Sequence, residues 1–216
     1  MPKFPTWVVK LGGSLVGGAA LADWLATLSE VSGRARIVIV AGGGPFADSV
    51  RDAQTALGID DATAHAMAIL GMRQFALAIA ALVPGTAPGL LTLDALGERR
   101  DDTGLVVWDP SDPVLATSAI PADWSATSDS IAAWLGRHIG ATGTVLVKSR
   151  HAASTGGLAS ALAAEAFIDT WLPVLLRGGE QPLWWIERSA TQEFVQLVAG
   201  AALPQRAITG SMRQPG

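Results

Sequence analysis

Thr6-Trp-Val-Val-Lys-Leu-Gly-Gly-Ser-Leu15 is the stretch from which the rest of the chain can be read. Trp7, Val8, Val9 and Leu11 surround a single lysine, and Gly12, Gly13 and Ser14 follow at once. A short buried strand here carries Lys10 to its own carboxyl end, after which the chain turns tightly. Glycine lets main-chain N–H groups approach a ligand with no Cβ in the way. A cation at a strand end, with free amides just beyond it, is a place to hold phosphate. The same residues also suit an ordinary Gly-Gly turn with Lys10 reaching water. A short glycine motif alone does not separate the two.

The arrangement then repeats. Leu21, Trp24, Leu25 and Leu28 recur at helical spacing, so the pattern predicts a helix over Ala19–Val31 that Gly33 closes. Arg36-Ile-Val-Ile-Val-Ala41 is a continuous β-branched run, as in a parallel strand buried on both faces. Gly42-Gly43-Gly44-Pro45 follows, and Pro45 suits the first turn of a helix striped by Phe46, Val50, Ala53 and Leu57. This β–α–β–α alternation predicts right-handed crossovers and a parallel sheet. Both glycine loops then open at the carboxyl edge of that sheet, where open α/β sheets bind ligands.

Composition narrows the options. The 216 residues are 50% hydrophobic and 16% charged, enough for one full core. A net charge of -4 gives no broad basic face for nucleic acid. Without cysteine there are no disulfides, thiolate metal sites or cysteine nucleophiles. Met1-Pro-Lys-Phe-Pro5 does not read as a signal peptide, and Gly, Asp or Arg interrupt the alanine-rich stretches, so a cytoplasmic protein with no membrane span is expected. Lysine is rare: of Lys3, Lys10 and Lys148, the last two end β-like runs, where a compact point charge on a flexible stem has a use.

Further along, Asp60-Asp61 caps a long predicted helix from Ala62 to Leu82, with Met67, Leu70, Phe75 and Ile79 as its apolar residues. His65 on that helix reads as a satisfied packing histidine rather than a ligand or base. Pro84 to Pro88 breaks the helix, and Gly89 to Pro121 reads as small strands and loops with room for a hairpin. Arg99-Arg-Asp-Asp102 reads as a solvated turn. Asp123-Trp-Ser-Ala-Thr-Ser-Asp-Ser130 is more distinctive. Ser125, Thr127, Ser128 and Asp129 lead into a helix carrying Ile131, Ala132, Trp134 and Leu135. They can cap it, or sit over a phosphate that the helix N-terminus also favours. One cap needs fewer than four polar groups, and Asp129 is placed to pair with Lys10. Thr144-Val-Leu-Val-Lys148 is another strand, followed by Ser149-Arg-His151 and a turn at Ser154–Gly157. Helical segments at Leu158–Ala166 and Asp169–Leu176, a strand at Leu183–Ile186, a helix at Ala190–Ala199, an edge strand at Ala207-Ile208 and a frayed tail from Met212 complete the reading.

Taken together, Lys10-Leu-Gly-Gly-Ser14, Ala41-Gly-Gly-Gly-Pro45 and Ser125-Ala-Thr-Ser-Asp-Ser130 resemble the amino acid kinase family, in order and spacing, across the first two thirds of the chain. That family includes acetylglutamate, uridylate, carbamate and isopentenyl phosphate kinases. The resemblance implies an α/β fold, a three-layer αβα sandwich with a mainly parallel central sheet. It implies one domain over residues 1–216, with an acceptor-side lobe over about 1–125 and a nucleotide-side lobe over about 126–216. Trp124-Ser-Ala-Thr-Ser-Asp-Ser130, His65-x-x-Ala-Ile69 and Ile168-Asp-x-x-Leu-Pro-Val-Leu-Leu176 are similar to the branch of methanofuran biosynthesis. In that branch the γ-phosphate of ATP goes to an aminomethylfuran phosphate and makes a diphosphate.

The resemblance assigns roles. Lys10 neutralises the transferred phosphoryl and Asp129 orients Lys10. Gly12, Gly13 and Ser14 hold the β/γ-phosphates. Gly43 and Gly44, with Gly42 beside them, serve the acceptor phosphate, as do Ser125, Thr127 and Ser128. ATP brings Mg²⁺, held largely by its own phosphates and water. A small phosphate substrate and a homo-oligomer are also implied. One segment departs: the family's Thr-Asp-Val-x-Gly is replaced by Lys148-Ser-Arg-His-Ala152, and the chain has no tyrosine for the Tyr-Asp that usually follows. Ser149 can supply the threonine hydroxyl, and Lys148 or Arg150 can supply phosphate contacts. The alternatives are a kinase-fold binding protein with a degraded nucleotide site, or a kinase for a carboxylate acceptor, for which only Arg51 and Arg73 offer a clamp.

Overall fold

The computed structural model describes residues 3–83, 89–99, 102–153, 157–179 and 181–210. In chain order the elements are β1 (Thr6–Leu11), a 3₁₀ turn (Gly13–Leu15), α1 (Ala19–Val31), β2 (Arg36–Ala41), α2 (Gly44–Leu57), α3 (Asp61–Leu82), α4 (Leu93–Glu98), β3 (Gly104–Val107), α5 (Ser111–Ala116), α6 (Ser128–His138), β4 (Gly143–Lys148), α7 (Ala159–Ala164), α8 (Leu172–Arg177), β5 (Leu183–Glu187), α9 (Thr191–Val198) and a last 3₁₀ turn (Pro204–Arg206).

All five strands are parallel and run in the order β3-β2-β1-β4-β5. The chain starts in the middle, winds outward through β2 to β3, and returns to the free side of β1 as β4. Winding therefore reverses between β1 and β4, and at such a point the carboxyl ends of the strands open a crevice. Register fixes what stands there. Lys10 lies opposite Leu146 and Leu11 opposite Val147, so Lys148 emerges just beyond the end of β1.

The period-2 alternation of the buried strands sorts them into two cores. Trp7, Val9, Ile37, Ile39 and Val145 face α1, α9 and the second half of α3, meeting Trp24, Leu28, Phe194 and Phe75. Val8, Val38, Val40, Leu146 and Trp185 face α6, α7 and α8, meeting Ile131, Leu135, Leu162 and Leu172. The result is the expected αβα sandwich. α3 takes part in both cores, through Ile69 and Met72 on one side and Phe75 and Ile79 on the other. Asp60 caps it by accepting from the Thr63 N–H at 2.7 Å.

Several local expectations change. Leu91 forms a lone parallel bridge to Trp108, and no hairpin is present among the described residues. Val114-Leu115 is helical. The Asp109 carboxylate accepts from the Ser111 N–H at 3.0 Å and its hydroxyl at 2.7 Å, and this side-chain turn starts α5. Ala207 makes one antiparallel bridge to Trp184 in place of an edge strand. Leu57 and Leu70 point outward from their helices, 72% and 46% exposed. Contrary to the reading that no apolar run has the length of a membrane span, α3 is long and apolar enough by composition, with a mean hydropathy of 1.5. Its buried residues are built into both cores of this sandwich. The break expected at 84–88, the middle of the 99–102 turn, residues 154–156 of the next turn and the tail from 212 lie outside the described residues.

Candidate active site

The pairing expected between Lys10 and Asp129 is present, and a second cation joins it. Lys10 Nζ lies 3.0 Å from Asp129 Oδ1, and Lys148 Nζ donates to Asp129 Oδ2 at 2.5 Å. Lys10 ends β1, Lys148 ends β4, and Asp129 stands in the first turn of α6, which covers both strands. Lys10 and Asp129 are buried, 8% and 5% exposed. Burial alone would raise the Asp129 pKa, but the Lys10 and Lys148 ammoniums outweigh it and hold the carboxyl at about 2. Lys148 is pushed down from its usual range by burial, against the pull of Asp129 and with the help of Lys10. One carboxylate thus shares two ammoniums, and Asp169 adds a second negative charge near Lys148.

The two glycine loops press on each other beside this cluster. A Cβ at Gly13 would stand 2.0 Å from Gly44 Cα and 2.2 Å from Gly44 N, and Gly44 itself has φ +54°. Neither position can carry a side chain without parting the loops. A Cβ at Gly12 would come within 3.2 Å of Lys10 Nζ, so that ammonium lies against bare backbone. Gly42 has a different role from the one expected. Its N–H donates to the Leu11 carbonyl at 2.8 Å and is unavailable to a substrate. It serves the loops' contact, since its Cβ would sit 2.8 Å from Gly13 N. Gly13→Ala is expected to cost roughly 1–3 kcal/mol of stability by overpacking and to abolish turnover. Urea denaturation and steady-state assays check it; a variant with native stability and rate would show that the loops can separate freely.

A cleft of about 540 Å³ opens from these loops and is bounded by α2, α3 and the start of α6. Gly43, Gly44, Thr127 and Ser128 line it, and so do Gly13 and Ser14, which the resemblance assigns to the nucleotide's phosphates; Gly12 lines neither this cleft nor the smaller cavity. Ser125 does not line the cleft. Its N–H donates to the Asp123 carboxylate at 2.7 Å, and its carbonyl accepts from the Trp171 N–H, so it belongs to the turn before α6. Thr127 lines the cleft, but its N–H and hydroxyl both donate to Asp169 Oδ2 at 2.9 Å. Asp169 also receives the Ser130 N–H and hydroxyl and the Leu172 N–H. It therefore caps α6 from a distant loop and fixes the turn that carries Asp129. Burial, then the nearby Asp129 charge, raise the Asp169 pKa, and these donors work against that rise.

His65 lines the cleft as well as being buried. Its Nδ1 lies 3.2 Å from the Asp123 carbonyl, and burial lowers its pKa, so the ring is neutral at neutral pH. Of the two candidate arginine clamps, Arg73 is engaged by Asp109 at 2.9 Å, outside the cleft. Arg51 is in it, with its guanidinium 3.7 Å above the Trp124 ring, whose Nε1 donates to Gln54 at 2.7 Å.

On the other side of the α6 terminus is a second cavity, about 340 Å³, lined by Asp129, Lys148, Phe167 and Asp169 among others. Trp124 and Thr127 line both cavities, so the two meet where α6 begins. Arg150, in the place of the expected aspartate, donates to the Glu165 carbonyl at 2.9 Å and lies 5.3 Å over the Phe167 ring. Ser149 is exposed on the turn after β4 and lines neither cavity. Among the described residues no group of three His, Asp or Glu side chains could hold a metal ion.

A model of the amino acid kinase family matches residues 5–151. Over 131 residues the chain is 31% identical to the [5-(aminomethyl)furan-3-yl]methyl phosphate kinase of Methanocaldococcus jannaschii, a match covering 60% of this chain and 59% of that protein. The fold resembles uridylate kinase from Archaeoglobus fulgidus at a TM-score of 0.71 and 16% identity, over 94% of this chain and 98% of that one. It also resembles UMP kinase from Bacillus anthracis, at a TM-score of 0.67 and 12% identity over 97% of this chain and 96% of that one. At those identities the structural likeness speaks for the fold alone. The sequence match takes in both glycine loops, Lys10, Asp129 and Lys148, and on that match the chain belongs to the amino acid kinase family.

Proposed function

We propose that the protein transfers the γ-phosphoryl group of ATP to the phosphate of a small phosphomonoester, and that this acceptor is [5-(aminomethyl)furan-3-yl]methyl phosphate, converted to its diphosphate. The observation that carries the reading is the Lys10–Asp129–Lys148 cluster: Asp129 and Lys148 line the smaller cavity, Asp129 two residues past the Thr127 that both cavities share, and Lys10, which lines neither, is held by Asp129 beside the first glycine loop. A cleft on one side suits the acceptor, and the cavity beside Lys148 suits the triphosphate. Residues 1–125 then form most of the acceptor side, borrowing Ala126, Thr127, Ser128 and Ile131 from the nucleotide side.

The chemistry asks little of the side chains beyond placement and charge. An oxygen of the acceptor phosphate forms the new bond to the γ-phosphorus, and the bond from that phosphorus to the β-phosphate oxygen breaks. ADP leaves with the electron pair. A phosphomonoester is largely dianionic at neutral pH, since its second pKa is about 6, so no base has to remove a proton. That agrees with a His65 ring held neutral by its burial. Lys10 faces charge that builds on the transferred oxygens, and Asp129 keeps its ammonium in place. Gly13, Gly43 and Gly44 give backbone approach where a Cβ would block it. The residues do not form a metal site: Asp129 is shared by two lysines and Asp169 is taken up by its donors. A magnesium ion would arrive on the nucleotide, held by its phosphates and water.

The test is ADP release from ATP, magnesium and the aminomethylfuran phosphate, with UMP and acetylglutamate as competing acceptors. Turnover that favours the furan phosphate is expected; turnover confined to another acceptor overturns the substrate assignment. A second reading rests on Arg150, which is tied to Glu165 and Phe167 at the rim of the smaller cavity. It makes the protein a binding protein that has lost its nucleotide. Calorimetry with ATP separates them, because only the kinase reading expects heat of binding.

A further inference from the structure

Asp48 is the one carboxylate lining the acceptor cleft. It sits on α2, four residues past Gly44, which places it about 6 Å along the helix axis from the glycine loop. Among the described residues it forms no ion pair or side-chain hydrogen bond. Arg51, one turn further on, could have neutralised it. Instead the Arg51 guanidinium lies 3.7 Å over the Trp124 ring, and Gln54 holds that ring by accepting from its Nε1 at 2.7 Å. The remaining wall nearby is apolar, made by Ala68, Ile69 and Met72. The cleft thus has an anion-seeking end at the glycine loops, an apolar middle, and one unmatched anion about a helical turn away.

We propose that Asp48 is a specificity-determining residue that binds a cation on the acceptor, so that the preferred substrate is a phosphomonoester carrying a protonated amine on a short, flat, apolar body. This rests on the acceptor reading above and adds to it the atom that selects the substrate. A carboxylate so close to a phosphate site would repel a purely anionic acceptor. It is compensated when the ligand brings its own positive charge to that end. Asp48 is open to water in the free protein, and a ligand filling the cleft would exclude part of that water and strengthen the pair.

The experiment compares [5-(aminomethyl)furan-3-yl]methyl phosphate with the analogue that has a methyl in place of the aminomethyl group, on the wild type, Asp48→Asn and Asp48→Glu. The wild type is expected to prefer the amine by about tenfold in kcat/KM, the usual order for one charge-assisted contact. Asp48→Asn should remove that preference through KM, raising KM for the amine and lowering it for the purely anionic analogue. Asp48→Glu should restore most of it. An Asp48→Asn variant that still prefers the amine, or that loses both compounds equally, overturns the proposal. Calorimetry of the same two compounds without ATP reads the preference independently of turnover. A wild type that binds the amine more tightly but turns over nothing sinks the kinase reading and keeps Asp48; equal binding of the two compounds sinks Asp48.

Discussion

Lys10→Ala is expected to lower kcat by about a thousandfold, the order found when one preorganised charge is removed from an acyl- or phosphoryl-transfer site. KM for both substrates should move little, because the glycine loops remain. The melting temperature should stay within about 4 °C of wild type, since Asp129 keeps Lys148 as its partner. That combination separates chemistry from folding. Lys10→Arg should be nearly as inactive. The ammonium lies where a Cβ on Gly12 would be 3.2 Å away, and a planar guanidinium is too broad for that gap. Steady-state ADP release with a thermal melt on the same samples checks all of this. A Lys10→Ala enzyme within tenfold of wild type would remove Lys10 from the chemistry.

Asp129→Asn should be the most destabilising substitution at the site. It leaves the Lys10 and Lys148 ammoniums buried and adjacent without the carboxylate that bridges them, and breaking a buried pair from one side costs about 3–5 kcal/mol. The sign is set by charge. Asp129→Asn with Lys10→Met restores the wild-type charge of the cluster and should be more stable than Asp129→Asn alone, a non-additivity that a double-mutant cycle measures. The same carboxylate predicts a pH effect. Its pKa is held at about 2, below the ordinary 3.8, so its contribution is full above the ordinary value and is lost as pH falls from about 4 through 2. Urea midpoints should fall across that window in the wild type, and less steeply in Asp129→Asn. Equal slopes would mean that Asp129 does not titrate there.

Much of the fold was legible because its first half is written locally. Arg36–Ala41 is an unbroken β-branched run with glycines at its end, and Ala19–Val31 has clear helical spacing; both elements have those bounds. Lys10 with Asp129 was legible from the surplus of polar groups before α6. Lys148 as the second partner was not. Its place depends on β4 returning beside β1, and that register is a tertiary fact; the only hint was that it, like Lys10, ends a β run. Asp169 was missed for the same reason. It caps α6 from 42 residues beyond Thr127, and nothing near it in sequence marks it as a cap. Ser125 and Gly42 misled because serine and glycine serve turns and strand contacts as readily as ligands. Val114-Leu115 misled because the Asp109 side chain, not the apolar pair, decides the local conformation.

The 22-residue α3 has a mechanical consequence. It is one rod that floors the larger cleft with His65, Ile69 and, at its middle, Met72, and whose second half is anchored by Phe75 and Ile79 in the opposite layer. At Gly71 it is packed so tightly on α2 that a Cβ would lie 3.2 Å from Phe46 Cβ. The side of the larger cleft is therefore expected to be stiff, with α3 amides that exchange with deuterium only on global opening. The opposite half, around Phe167, is framed by the six-residue helices α7 and α8, so its amides are expected to exchange sooner than those of α3. On the proposed function, adjustment to the nucleotide is expected on that side and not along α3.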